Sequence, residues 1–116
     1  MPPRPPFGAE PPHGWCYYYE KADLARQQGN WDDVVRLGDE AAKHRLHPND
    51  AIEWLPFLQG YAYTGNIPGL DGVAKTVKQE AYYRKQACET LLAMNRGKKP
   101  FTPAMLNEVK RLFCGN

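Results

Sequence analysis

Trp15-Cys-Tyr-Tyr-Tyr-Glu-Lys-Ala-Asp-Leu-Ala-Arg-Gln-Gln-Gly-Asn-Trp31 is the stretch whose reading decides the fold. Trp15, Tyr18, Ala22 and Ala25 recur at spacings of three and four, which puts them on one face of a helix over about Trp15 to Gln28. Leu24 widens that face. Gly29 supplies the left-handed residue that ends the helix, and Asn30 is placed to cap a second helix opening at Trp31. The Gly-Asn pair returns as Gly65-Asn66, 36 residues on, behind the phrase Trp54-Leu-Pro-Phe-Leu-Gln-Gly-Tyr-Ala-Tyr-Thr64. Recurrence at that interval marks a chain built from repeated helical hairpins.

Working outward, the second helix is expected to run from Trp31 to about Arg45. Asp32 and Asp33 sit in its first turn, and Lys43, His44 and Arg45 close it, the charge order that the helix dipole favours. Val34, Val35, Leu37, Gly38, Ala41 and Ala42 give it an apolar face made partly of small residues. After the turn at Pro48-Asn-Asp50, Asp50 and Glu53 have the spacing of a capping box for a third helix reaching about Thr64. Pro56 lies past its first turn and predicts a kink, and Ile52, Leu55, Leu58, Tyr61 and Ala62 form its buried stripe. A fourth helix, opened by Asn66 and Pro68, carries Leu70, Val73, Ala74 and Val77 inward to about Lys78. A fifth spans about Ala81 to Asn95, with Tyr82, Tyr83, Ala87, Cys88, Leu91, Leu92 and Met94. The junction at Gln79-Glu80 lacks a strong breaker, so the fourth and fifth helices could run together. Thr102 and Pro103 start a sixth, whose apolar face is Met105, Leu106, Val109, Leu112 and Phe113. No stretch shows period-two alternation, and the expected fold is all-α, a right-handed superhelical array of about three antiparallel hairpins over 15–114.

Composition bounds the rest. At 116 residues, 42% hydrophobic and 24% charged, the chain has the make-up of one soluble globular domain. No apolar run approaches the ~18–20 residues of a membrane-spanning helix. Met1 to Gly14 holds six of the eleven prolines and lacks the apolar centre of a signal peptide; it reads as an extended linker with polyproline character. Cys16, Cys88 and Cys114 form no Cys-x-x-Cys pair, which points to free thiols in a reducing compartment, away from a zinc site or a disulfide scaffold. The absence of serine excludes every serine-nucleophile mechanism. His44, His47 and Asp50 could be imagined as metal ligands, yet helix-end complementation explains the histidines more simply. Cys16 near His13 could be an activated thiol, against the plainer reading of a buried structural cysteine. The pattern calls for no catalytic residue, cofactor or metal.

Two resemblances sharpen this reading. Tyr18, Ala22, Gly29-Asn30-Trp31, Val34 and Ala41, and then Trp54, Tyr61, Gly65, Leu70 and Val77, resemble the tetratricopeptide (TPR) repeat. Lys21, Gly38 and the late Pro48 depart from that pattern, and the third hairpin matches only in outline. The phrases Trp15-Cys-Tyr-Tyr-Tyr-Glu-Lys-Ala-Asp-Leu-Ala-Arg-Gln, Leu37-Gly-Asp-Glu-Ala, His47-Pro-Asn-Asp and Trp54-Leu-Pro-Phe-Leu-Gln-Gly-Tyr-Ala look like the soluble C-terminal region of some bacterial polytopic membrane proteins of glycosyltransferase type. That likeness implies a domain joined to membrane segments upstream, with catalytic residues lying there.

The TPR resemblance implies a concave groove lined by the first helix of each hairpin. The positions that transfer are Tyr19, Asp23, Arg26 and Gln27, then Leu55, Gln59, Ala62 and Tyr63, then Arg84, Ala87 and Leu91. The implied job is non-catalytic binding of a protein or peptide partner. Tyr19 and Asp23 stand where the family's lysine-and-asparagine clamp for chaperone tails would be, so such tails are not the expected ligand. The alternatives are a free-standing adaptor, or a domain whose basic end binds an anionic membrane or nucleic acid. Residues 96–116 carry five basic side chains and one acidic one, but no DNA-reading motif accompanies Lys98, Lys99, Lys110 and Arg111. Leu112 and Phe113 are expected on an open apolar end face, where a homo-oligomer could form.

Overall fold

A computed structural model of the chain describes residues 14–97 and 99–115. Residues 1–13, which hold the proline-rich linker and His13, lie outside the described residues, as does Lys98. Among the described residues all regular structure is helical. The elements are α1 (Trp15–Gln27), α2 (Trp31–Lys43), a single 3-10 turn (Ala51–Trp54), α3 (Leu55–Tyr63), α4 (Ile67–Val77), α5 (Ala81–Asn95), α6 (Pro103–Val109) and a π-helical turn (Lys110–Cys114). The protein is all-α, and no described helix is long and apolar enough to cross a membrane.

The two Gly-Asn turns are built alike. Gly29 and Gly65 take φ of 73° and 77°, a conformation that costs other residues a clash at Cβ. Behind them, the Asn30 side chain accepts from the Asp33 amide and the Asn66 side chain from the Gly69 amide, each supplying an acceptor to a first-turn N–H. Thr102 caps α6 in the same way by accepting from Met105. At the other junction Glu80 is extended (φ −105°, ψ 125°), so α4 and α5 are separate helices.

Pro56 starts a helix where the sequence suggested a kink. It occupies the first turn of α3, where its missing N–H costs nothing, and the residues before it wind as the 3-10 turn. The expected capping box is also replaced. Asp50 caps the 3-10 turn by accepting from the Ile52 amide, but Glu53 turns away to accept the Trp15 indole N–H at 2.7 Å.

The core gathers Tyr18 and Ala22 of α1, Val34 and Ala41 of α2, Phe57, Leu58 and Tyr61 of α3, Leu70 and Ala74 of α4, and Ala87 and Leu91 of α5. Met105, Val109, Leu112 and Phe113 complete it from the C-terminal segment. Leu24 does not widen the buried face of α1, because it is 51% exposed, and Tyr82 is 65% exposed. Two glycines set helix spacing. A Cβ on Gly60 would stand 2.6 Å from Val34 Cγ1, and one on Gly38 would stand 2.9 Å from both Phe57 Cδ1 and the Tyr61 hydroxyl. The latter hydroxyl donates to Asp39 Oδ1 at 2.7 Å across the α2–α3 seam, and burial together with that bond pushes its pKa up.

The last segment corrects two expectations. Cys88 and Cys114 are joined in a disulfide with Cα atoms 5.2 Å apart, so these thiols are not free. Cys16 is the unpaired cysteine, and it is exposed instead of buried. Leu112 and Phe113 do not form an open end face: the π-helical turn folds them inward to 6% and 3% exposure.

Candidate functional site

α1 and α3 run side by side in the same direction. At their starts Trp15 meets Trp54 with ring centroids 4.6 Å apart, and at the other end Trp31, which opens α2, meets Tyr63, the last residue of α3, at 5.4 Å. Parallel packing of alternate helices follows from two successive reversals of the chain, and α1 and α3 meet along a seam.

On that seam lies a hollow of about 340 Å³ lined by Tyr19, Asp23 and Arg26 of α1 and by Leu55, Pro56 and Gln59 of α3. Ile52 and, from α5, Thr90 close it. Five of the expected groove residues therefore meet at one place: Tyr19, Asp23, Arg26, Leu55 and Gln59. Helical geometry explains why, since 19, 23 and 26 share a face of α1 and 55 and 59 share one of α3.

The polar wall of the hollow is organised by Asp23. Its carboxylate accepts from Arg26 Nε at 3.0 Å and Nη2 at 2.8 Å, and from Gln27 Nε2 at 2.9 Å. Gln27 thus acts behind the wall, holding Asp23 in place. The Tyr19 hydroxyl is shifted up by partial burial, then by the nearby Asp23 and Glu53 carboxylates, with Arg26 opposing. It presents a neutral O–H donor at physiological pH.

Tyr63 lies elsewhere on the same seam. It lines a second hollow of about 420 Å³ with Gly29, Asn30, Trp31, Asp32, Thr64 and Lys99. Gln59 of the first hollow and Tyr63 of the second are one helical turn apart on α3, so the two hollows are neighbours along that helix, the second beside the Gly29-Asn30 turn. Lys99 Nζ stands 5.2 Å from the centre of the Tyr63 ring, within cation–π range. Ala62, Ala87 and Leu91 do not line the groove; all three are buried in the core. Arg84 is on α5, where its Nη1 donates to the Lys78 carbonyl at 2.9 Å, tying the start of that helix to the end of α4.

No family model, curated protein or solved structure matches this chain. Its chemistry must be read from its own side chains. Among the described residues, no three His, Cys, Asp or Glu side chains are gathered to hold a metal ion. His44 stacks beside Tyr18 with centroids 6.4 Å apart. Of the basic residues near the C-terminus, Arg111 is engaged by Glu108 in a two-bond pair at 2.9 and 2.5 Å, and Lys99 by Tyr63.

Sequence reasoning missed Ile52, Pro56 and Thr90 as lining residues, together with Trp31 and Lys99 in the second hollow. Pro56 carried a signal for the start of α3, since a proline there lacks only an N–H that would be unpaired anyway, but none for the hollow, whose wall it joins as a buried residue. Lys99 carried none, because its place depends on how the α5–α6 connection folds back. The Asn95 side chain fixes part of that path by accepting from the Phe101 amide at 2.8 Å.

Proposed function

We propose that this chain is a non-catalytic domain, a TPR-like helical array, that binds another polypeptide along the seam between α1 and α3. The observation that carries this reading is the meeting of Tyr19, Asp23 and Arg26 with Leu55 and Gln59 around one hollow. Ile52 and Leu55, both partly exposed, supply apolar contact. The Tyr19 hydroxyl, the Gln59 amide and the outer edge of Arg26 supply directional polar groups of the kind that an extended backbone can pair with. Tyrosine and arginine are the residue types on which binding energy concentrates.

The test is selection of a phage-displayed random peptide library on the folded domain. The expected result is a set of binders whose binding is abolished when Tyr19, Arg26 and Tyr63 are replaced together by alanine, with the far-UV CD spectrum unchanged. Binding that survives the triple replacement overturns the groove.

We further propose that the domain belongs to a larger bacterial membrane protein and works on the oxidising side of the membrane. The first part rests on the phrase-level resemblance and is tested by an in-frame continuation with apolar segments upstream of the Met1 codon. The second rests on the Cys88–Cys114 disulfide, since such bonds persist in oxidising compartments. Thiol titration of unreduced, denatured protein should then find the Cys16 thiol alone; reaction at all three cysteines contradicts that placement.

A further inference from the structure

The second hollow already holds a cation. Lys99 Nζ stands 5.2 Å from the centre of the Tyr63 ring, Trp31 packs against that ring at 5.4 Å and 41°, and the acidic residue Asp32 lines the same hollow. Two electron-rich rings and a carboxylate around one space make a seat for positive charge: the ring faces attract a cation through their quadrupoles, and the acid adds direct attraction. Lys99 reaches this seat from the α5–α6 connection and is itself exposed, so nothing buries it there. A contact of that kind in water is worth little to the fold, and a competing cation can displace it.

We propose that this end of the groove recognises a lysine or arginine side chain of the bound polypeptide, and that Lys99 is the resident occupant which the polypeptide displaces. The inference rests on the polypeptide-binding reading and names the chemistry of the partner. It also fixes a spacing. Leu55 and Tyr63 lie eight residues apart on α3, ~12 Å along a helix. An extended chain covers that distance in about four residues, and an even number returns its side chains to the same side. The partner is therefore an extended segment with an apolar residue about four positions from a basic one, the apolar residue on Leu55 and the basic residue over Tyr63.

The experiment selects the same peptide library on three proteins: the wild type, Lys99→Gln and Tyr63→Leu. Leucine at position 63 keeps an apolar side chain against Trp31 while removing the ring face, and thermal melts confirm that each variant is folded. Lys99→Gln should return peptides enriched in lysine or arginine at the stated spacing. The best of them should bind wild type roughly threefold more weakly and Tyr63→Leu roughly fivefold more weakly than Lys99→Gln, the range of an exposed cation–π contact. Peptides selected without a basic preference, or bound equally by all three proteins, overturn the cationic seat while leaving the groove intact. Failure to select any peptide on any of the three overturns the groove reading and the seat with it.

Discussion

The first two hairpins and the last one are held together by different means. From Trp15 to Val77 each hairpin reverses at a Gly-Asn turn, and the helices are packed at glycine contacts and sealed at one end by the rings of Trp15, Trp54 and Phe57. These are backbone and packing devices. From Ala81 to Cys114 there is no Gly-Asn turn. That region relies on the Cys88–Cys114 disulfide, the Asn95 side chain bonded to the Phe101 amide, a π-helical turn and a carboxyl pair reaching back to α4. The contrast teaches where the groove gets its rigidity. Its two main walls, α1 and α3, belong to the region fixed by close packing, and the third hairpin contributes Thr90 and Lys99 from a region fixed by single, breakable links.

Breaking the covalent link should show this most strongly. Replacing Cys88 and Cys114 together with alanine removes a cross-link spanning 26 residues, worth about 3.5 kcal/mol by loop-closure entropy. Hydrogen exchange should then accelerate in residues 81–114 well before residues 15–77. Uniform acceleration across both regions would show that the two are not separable.

A smaller effect is expected from the packing side. Gly60→Ala places a methyl 2.6 Å from Val34 Cγ1, and Val34 is fully buried and stiff about χ1, so the α2–α3 seam must open. The cost should be about 1–3 kcal/mol in urea unfolding, even though alanine is the better helix former. An unchanged or raised midpoint would show that the close approach is relaxed without strain.

The smallest effect concerns Asp71 and Glu108, which connect α4 to α6. Glu108 is held well below the ordinary carboxylate range, at about 2, first by its hydrogen bond from Arg111 and then by Asp71. Asp71 is raised, first by its hydrogen bond to Glu108 and then by burial. Its Oδ1 is buried and meets no donor among the described residues. The pair is satisfied when Asp71 keeps a proton and donates it to the Glu108 carboxylate. A raised pKa in the folded state contributes stability that is full below the ordinary value of 3.8 and is lost as pH rises through the folded value. Glu108 works the other way, losing its contribution only as pH falls through about 2. Asp71→Asn supplies an amide donor at every pH, so its melting temperature relative to wild type should climb as pH rises from 3.8 upward. A difference that stays constant over that range would remove the shared proton.

The same division explains what the sequence disclosed. Gly29-Asn30 and Gly65-Asn66 are local signals, because φ and capping are decided within a few residues, and the helices they bound were legible from spacing alone. So were five of the eleven residues expected to form the groove, since face-sharing on a helix is also local. The misses are non-local. Glu53 had two acceptable partners, its own helix start and an indole 38 residues away, and spacing shows only the first. Three cysteines without a short motif look unpaired until α5 and the C-terminal turn meet. Ala62, Ala87 and Leu91 have the periodicity of groove residues, but small or aliphatic side chains at those positions are drawn into the core. Tyr63 is on the expected helix and face, one turn beyond the hollow that its neighbours line.

The most direct test of the central claim is a backbone-amide chemical-shift titration of the ¹⁵N-labelled domain with a peptide selected on it. The account predicts the largest shifts along residues 19–27 and 52–63, with the Trp31 indole N–H moving as well and residues 34–46 still. Shifts concentrated on α2 and α4, with the α1–α3 seam unmoved, would contradict it.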